Sequence, residues 1–265
     1  MAIAAPFLGT VDPSLFDAAS RDLRPGQAGE ITNLDGETVG HRFLMGSDSF
    51  GRDIYSRVLY GTRVSLLVGI ASALVALSFG ILCGLSAGYL RWLDGILMRV
   101  MDGVMAIPAI LIAIALVALW RPSLSTVVLA IAIPEIPRVT RLVRSLVLSL
   151  REEPYVEAAV SLGTSTAKIM FGHILPNTVA PLIVQGTYIV GFAILIEAIL
   201  SFLGVGLPPD IPTWGNIMSE GRVQFVGYPH NVFFPGVFLA VTVLAVNMLG
   251  DGLRDTLDPK MAKRV

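Results

Sequence analysis

Three acidic residues stand where charge is costly. Glu135 and Glu197 fall in or at the edge of long apolar stretches, and Asp102 lies near the start of another. Hydrocarbon cannot solvate an ionised carboxylate, so such a residue faces a cavity or a partner. Two readings stay open for each. In the first it lines a translocation pathway and meets a polar or cationic solute. In the second it is structural, with Asp102 paired to Arg99 and Glu135 to Arg138, each about one helical turn away. Glu197 has no basic neighbour in sequence and is the better pathway candidate, unless it bonds backbone or serine groups. Other side chains do not suggest catalysis. His41, His173 and His230 are far apart and form no ligand cluster, and Cys83 is a lone thiol inside an apolar stretch. No GxxxxGK[ST] phosphate loop occurs, and DGLRDTLD near the C-terminus lacks EF-hand spacing.

The elements that must hold these residues are apolar. The 265 residues are 54% hydrophobic and 15% charged, with one cysteine and a net charge of -1. A soluble domain carries about 25% charge. The composition excludes a disordered chain, a disulfide scaffold and a nucleic-acid binder, and leaves a membrane protein. Uncharged blocks predict five transmembrane helices at 64–89, 98–120, 123–145, 178–203 and 230–250, since a span needs about 20 apolar residues. The third reaches that length only by including Glu135. Residues 1–13 are apolar but too few to cross, and read as a stub on or in the membrane surface. Domains follow: 1–63, a stub and external segment; 64–250, the membrane domain; 251–265, a tail.

Eleven of the nineteen basic residues, including Arg138, Arg141, Arg144, Arg151 and Lys168, fall in one set of alternating loops. That set is cytoplasmic by the positive-inside rule. The long N-terminal segment is then outside and the C-terminus inside. Within the segment, Arg52 and Asp53 read as caps of a short amphipathic helix. Its apolar face of Ile54, Val58 and Leu59 is expected on the outer membrane surface. Gly80, Gly84 and Gly88 form GxxxGxxxG, a spacing that lets two helix backbones approach closely. Pro108, Pro134 and Pro137 are expected to kink or break their helices.

The largest cytoplasmic loop, 146–177, contains REEPYVEAAVSLGTSTAKIMFGHILPN. Glu152, Glu153 and Pro154 suit a helix start. Gly163 can adopt the left-handed conformation that stops it. Thr164 or Ser165 can cap a second helix, through Lys168 to Leu175. Ala158 and Ala159 make a small, smooth face. The loop is either a docking element or an ordinary connection.

EAAVSLG followed by HILPN resembles the EAA loop of ATP-binding-cassette importer permeases. In that family the loop is the coupling helix that sits in a cleft of the ATPase subunit. The resemblance implies a docking core of Glu157, Ala158, Ala159, Leu162 and Gly163, closed by Ile174, Leu175 and Pro176. GSDSFGRDIYSRVLYGTRVSLLVG, EAILSFLGVGLPPDIPTWGNIMSEGR and FFPGVFLAVTVLAVNMLGDGLRDTLDPK are similar to segments of the dipeptide/oligopeptide branch. The resemblance implies an all-α polytopic membrane protein with a type I ABC importer permease core. It would have five full helices plus a stub like the outer end of a first one, either truncated or genuinely absent, where the family normally has six. It implies a bacterial inner-membrane subunit that imports di- or oligopeptides and binds no cofactor, leaving ATP and Mg to its partners. Those are a homologous permease (a heterodimer), two ATPase subunits or one fused ATPase, an extracytoplasmic solute-binding protein and the lipid bilayer. Relatives of the same layout carry nickel chelates or other small solutes, and a secondary transporter is the rival from another class.

Overall fold

A computed structural model describes residues 4–32 and 36–257. The residues of the stub before 4, and those of the tail beyond 257 with Lys260, Lys263 and Arg264, lie outside the described residues. The helices are α1 (Ile54–Tyr89), α2 (Arg91–Met105), α3 (Ala109–Leu119), α4 (Leu124–Leu150), α5 (Pro154–Ser161), α6 (Thr166–Ile169), α7 (Leu175–Phe202), α8 (Trp214–Gly221) and α9 (His230–Leu257). Strands β1 (Ala28–Thr32) and β2 (Thr38–Arg42) form one antiparallel pair, with Ala28 opposite Arg42 and Thr32 opposite Thr38.

By length and composition α1, the stretch Thr166–Phe202 and α9 can each cross a membrane, and α2 with α3 make a fourth crossing if counted as one broken span. α4 has the length, at 27 residues, but carries Glu135, Arg138, Arg141 and Arg144. The expected 98–120 helix is not one helix. α2 and α3 meet at 86°. Pro108 lies in the break, where it lacks an N–H and restricts the residue before it. Pro134 and Pro137, by contrast, sit inside an unbroken α4.

The chain divides into two compact units, one of residues 1–69, 117–127 and 194–244, the other of 70–116, 128–193 and 245–265. The first contains the strand pair, the start of α1 and α8. Asp53 caps α1 by accepting from the Ser56 N–H at 2.9 Å. The amphipathic surface helix expected at 54–59 is instead the first turns of the 36-residue α1. Ile54, Val58 and Leu59 are buried against protein, not laid on a membrane surface. Trp214 is fully buried, and its indole N–H donates to the Val58 carbonyl at 3.1 Å. The described part of the stub is tied to α1: the Val11 N–H donates to Ser56 Oγ, and the Tyr55 hydroxyl to the Leu8 carbonyl, each at 3.0 Å.

The second unit is built on close helix approach. A Cβ on Gly84 would meet Val143 Cβ at 2.5 Å and the Thr140 carbonyl at 2.8 Å. Gly80 faces Val139 and Gly88 faces Val147 in the same way. The glycine stripe of α1 therefore receives a valine stripe of α4 with the same four-residue period. The three valines belong to one core that also holds Leu85, Leu182 and Ile189. Cys83 on α1 is half-buried and forms no disulfide.

Candidate functional site

The 146–177 loop has the expected helix–turn–helix form. Glu153 is the N-cap residue of α5 and Pro154 occupies its first turn, where a missing N–H costs nothing. Gly163 has φ of 74°, in the left-handed region. The Gly163 N–H donates to the Val160 carbonyl at 2.9 Å and the Thr164 N–H to Ala159 at 3.1 Å. This is a Schellman closure, so the end of α5 is set by local geometry. Ser165 takes the N-cap position of α6 without a side-chain bond. After α6 come five residues of π-helix, Met170–Ile174, and then α7. The second loop helix is thus continuous with a span, over Thr166–Phe202.

The eight expected docking residues do not share one surface. Glu157, Ala158, Leu162, Gly163 and Pro176 are exposed, Leu162 at 85%. Ala159 and Ile174 are buried in the core of the second unit, with Val156 and Ile169. Leu175 is half-buried. The α5 helix places its Val156 and Ala159 side inward, because residues three apart share a face. Its outer side presents Glu157, Ala158 and Val160, with Tyr155 beside them. Tyr155 and Asn177 were not singled out by the sequence. The Asn177 amide donates to the Tyr155 hydroxyl at 3.2 Å and to the His173 carbonyl at 2.7 Å. This links α5 to the first turn of α7.

The acidic candidates take structural places. Glu135 is fully buried and accepts from Arg138 at 2.9 Å, as the structural reading expects. Asp102 pairs with Arg141 of α4 and not with Arg99. Glu197 is fully buried, with Ser201 Oγ donating at 2.8 Å and Ser65 Oγ at 3.5 Å. The two glutamates are thus buried within the chain, and Asp102 alone of the three is exposed.

A second polar cluster lies in the first unit. Arg52 Nε reaches Asp48 at 2.6 Å, and Arg52 also binds Glu220, near the end of α8. Arg57, fully buried, approaches Glu220 at 3.4 Å and Asp48 at 3.9 Å. Burial pushes the Glu220 carboxyl up, and Arg57 and Arg52 pull it back. Burial likewise pushes Asp53 up, against the Ser56 bonds and His41, whose Nε2 is 3.8 Å away. The GSDSFGRDIYSR segment marked Arg52 and Asp53, but nothing adjacent to them in sequence pointed to Glu220.

Among the described residues no group of three His, Cys, Asp or Glu is placed to hold a metal. Apolar helices long enough to span a bilayer, with α1 and α4 locked by glycine–valine contacts, define a polytopic membrane protein. The family of binding-protein-dependent transport system inner-membrane components matches residues 76–263, and the chain belongs to it. It is 47% identical over 264 residues to the probable peptide ABC transporter permease protein y4tQ of Sinorhizobium fredii, covering 100% of this chain and 86% of that one. It is 49% identical over 229 residues to the dipeptide transport system permease protein DppC of Alkalihalophilus pseudofirmus, covering 86% and 75%. A solved chain of the MetNI methionine ABC transporter shares the fold, with a TM-score of 0.63 at 16% identity over 76% of this chain and 96% of that one. The protein is thus a permease component of an ABC transporter, in a membrane, working with ATPase and binding-protein partners.

Proposed function

We propose that this chain forms half of the translocation pathway of an ATP-driven importer of di- or oligopeptides. The observation that carries the coupling role is α5, a helix closed at its C-terminal end by Gly163 and presenting an outer face with Glu157, Ala158, Val160 and Leu162. The peptide cargo is carried over from the printed names of the two relatives. The excess of Arg and Lys in one set of loops supports α5 and the C-terminus in the cytoplasm and the N-terminal segment outside. A homologous permease completes the pathway. ATP and Mg sit on the partner ATPases, supplied by two subunits or one fused chain, and this chain performs no hydrolysis. Closure of the ATPases draws the two coupling helices together and opens the pathway outward, and hydrolysis reverses the movement. Within this chain the push on α5 reaches α7 through Asn177 and through the continuous helix that starts at Thr166.

The test of cargo is the ligand set retained by the cognate binding protein. Retention of di- or oligopeptides is expected. Retention of only nickel chelates or another non-peptide solute would overturn the peptide reading and leave the coupling role intact.

A further inference from the structure

The helix α2 departs from the spans around it. It meets α3 at 86°, and α3 reads AILIAIALVAL, without a polar side chain. With α3 directed into the bilayer, α2 lies close to the membrane plane. One side of α2 is committed to protein. Arg144 donates to Asp94 at 2.6 Å, Arg141 pairs with Asp102, and Met101 is buried. The other side is open. Trp92, Ile96 and Val100 are 70%, 59% and 56% exposed. Their four-residue spacing places them in a single stripe. Arg91 and Arg99 flank that stripe, both exposed, and neither forms an ion pair among the described residues.

The charge pattern identifies the occupant. α4 neutralises both acids of α2, so the charge left facing outward is positive only. An apolar stripe bearing a tryptophan and flanked by arginines, on a helix in the membrane plane, matches the boundary between acyl chains and headgroups. Anionic headgroups attract such arginines. A protein groove would have to supply both apolar cover and acidic partners.

We propose that α2 is an interfacial helix. It seats Trp92, Ile96 and Val100 at the acyl–headgroup boundary and holds anionic phospholipid headgroups with Arg91 and Arg99. The proposal rests on the membrane placement of the chain and is independent of its cargo.

The experiment uses the complete importer, purified with its partner subunits, in nanodiscs of phosphatidylglycerol and phosphatidylcholine. Cys83 is the sole cysteine, so Cys83→Ala with Ile96→Cys gives one site for a nitroxide. The label should relax strongly with oxygen and weakly with a water-soluble nickel chelate, as expected at the boundary. Strong relaxation by the chelate would mean a water-facing helix. Protection from both would mean cover by a protein subunit. Either result overturns the proposal. Val100→Cys is the second position should Ile96→Cys not assemble. The charge is read from the preference for spin-labelled phosphatidylglycerol over phosphatidylcholine. It should fall by about fivefold for each of Arg91→Gln and Arg99→Gln, and an unchanged preference contradicts headgroup binding. Uptake by the same complex reconstituted in sealed vesicles of the same lipids reports separately on the importer reading, because label depth does not depend on transport.

Discussion

Gly163 is the residue that ends α5 in the loop proposed to dock on the ATPase. Its φ of 74° is a conformation that costs an L-residue roughly 1–2 kcal/mol. Proline is worse, because its ring fixes a negative φ and removes the N–H given to Val160. Gly163→Pro should leave the chain inserted and the ATPases active but abolish uptake. Membrane fractionation with parallel ATPase and uptake assays checks this, and normal uptake would refute the assigned role. Glu220 acts in the other unit. Glu220→Ala leaves Arg52 without one of its partners and Arg57 buried, a loss of roughly 3–5 kcal/mol. Thermal unfolding of the purified complex should show a clear drop, and an unchanged midpoint would mean the cluster contributes little. Asp53 contributes a pH dependence. Its carboxyl is raised in the fold, so the native state holds the proton more tightly than the unfolded state. Stability from this group is present below the ordinary carboxylate value of 3.8 and is lost as pH rises through the raised one. Asp53→Asn keeps a capping oxygen without the charge. It should therefore gain on the parent protein as pH rises, as read from unfolding midpoints across that range.

The clearest element-scale result is the meeting of α1 and α4. GxxxGxxxG was legible because three glycines at four-residue spacing make a groove whatever fills it. The filler, Val139, Val143 and Val147, was not, because the stripes are about 60 residues apart and a valine stripe fits many neighbours. Gly84→Leu should prevent the approach, since the added side chain meets both Val143 and the Thr140 backbone. Overpacking of this kind costs about 1–3 kcal/mol or more. Detergent-solubilised complex should unfold earlier, whereas the same change at Gly95, which has open space, should have little effect. Other elements were misread for a physical reason. Ile54, Val58 and Leu59 make an apolar face, and a face reads the same whether lipid or protein covers it. Asp102 has Arg99 nearby in sequence, yet Arg141 lies closer in space. Pro108 was marked as a break and is one, whereas Pro134 and Pro137 are accommodated within α4.

At the scale of the molecule, low charge and long apolar blocks were enough for the class of protein, and the loop motif for the family. What sequence could not supply was the pairing of distant charges, such as Asp94 with Arg144, on which the placement of α2 depends. In the proposed function this chain is a passive half of a gate, driven by partners through α5. The direct test is uptake of a labelled peptide by the reconstituted importer, with binding protein outside and ATP inside the vesicle. Accumulation should require both, and should vanish when the ATPases are omitted. Transport by the permease subunits alone, driven by an ion gradient with no ATPase present, would contradict the account.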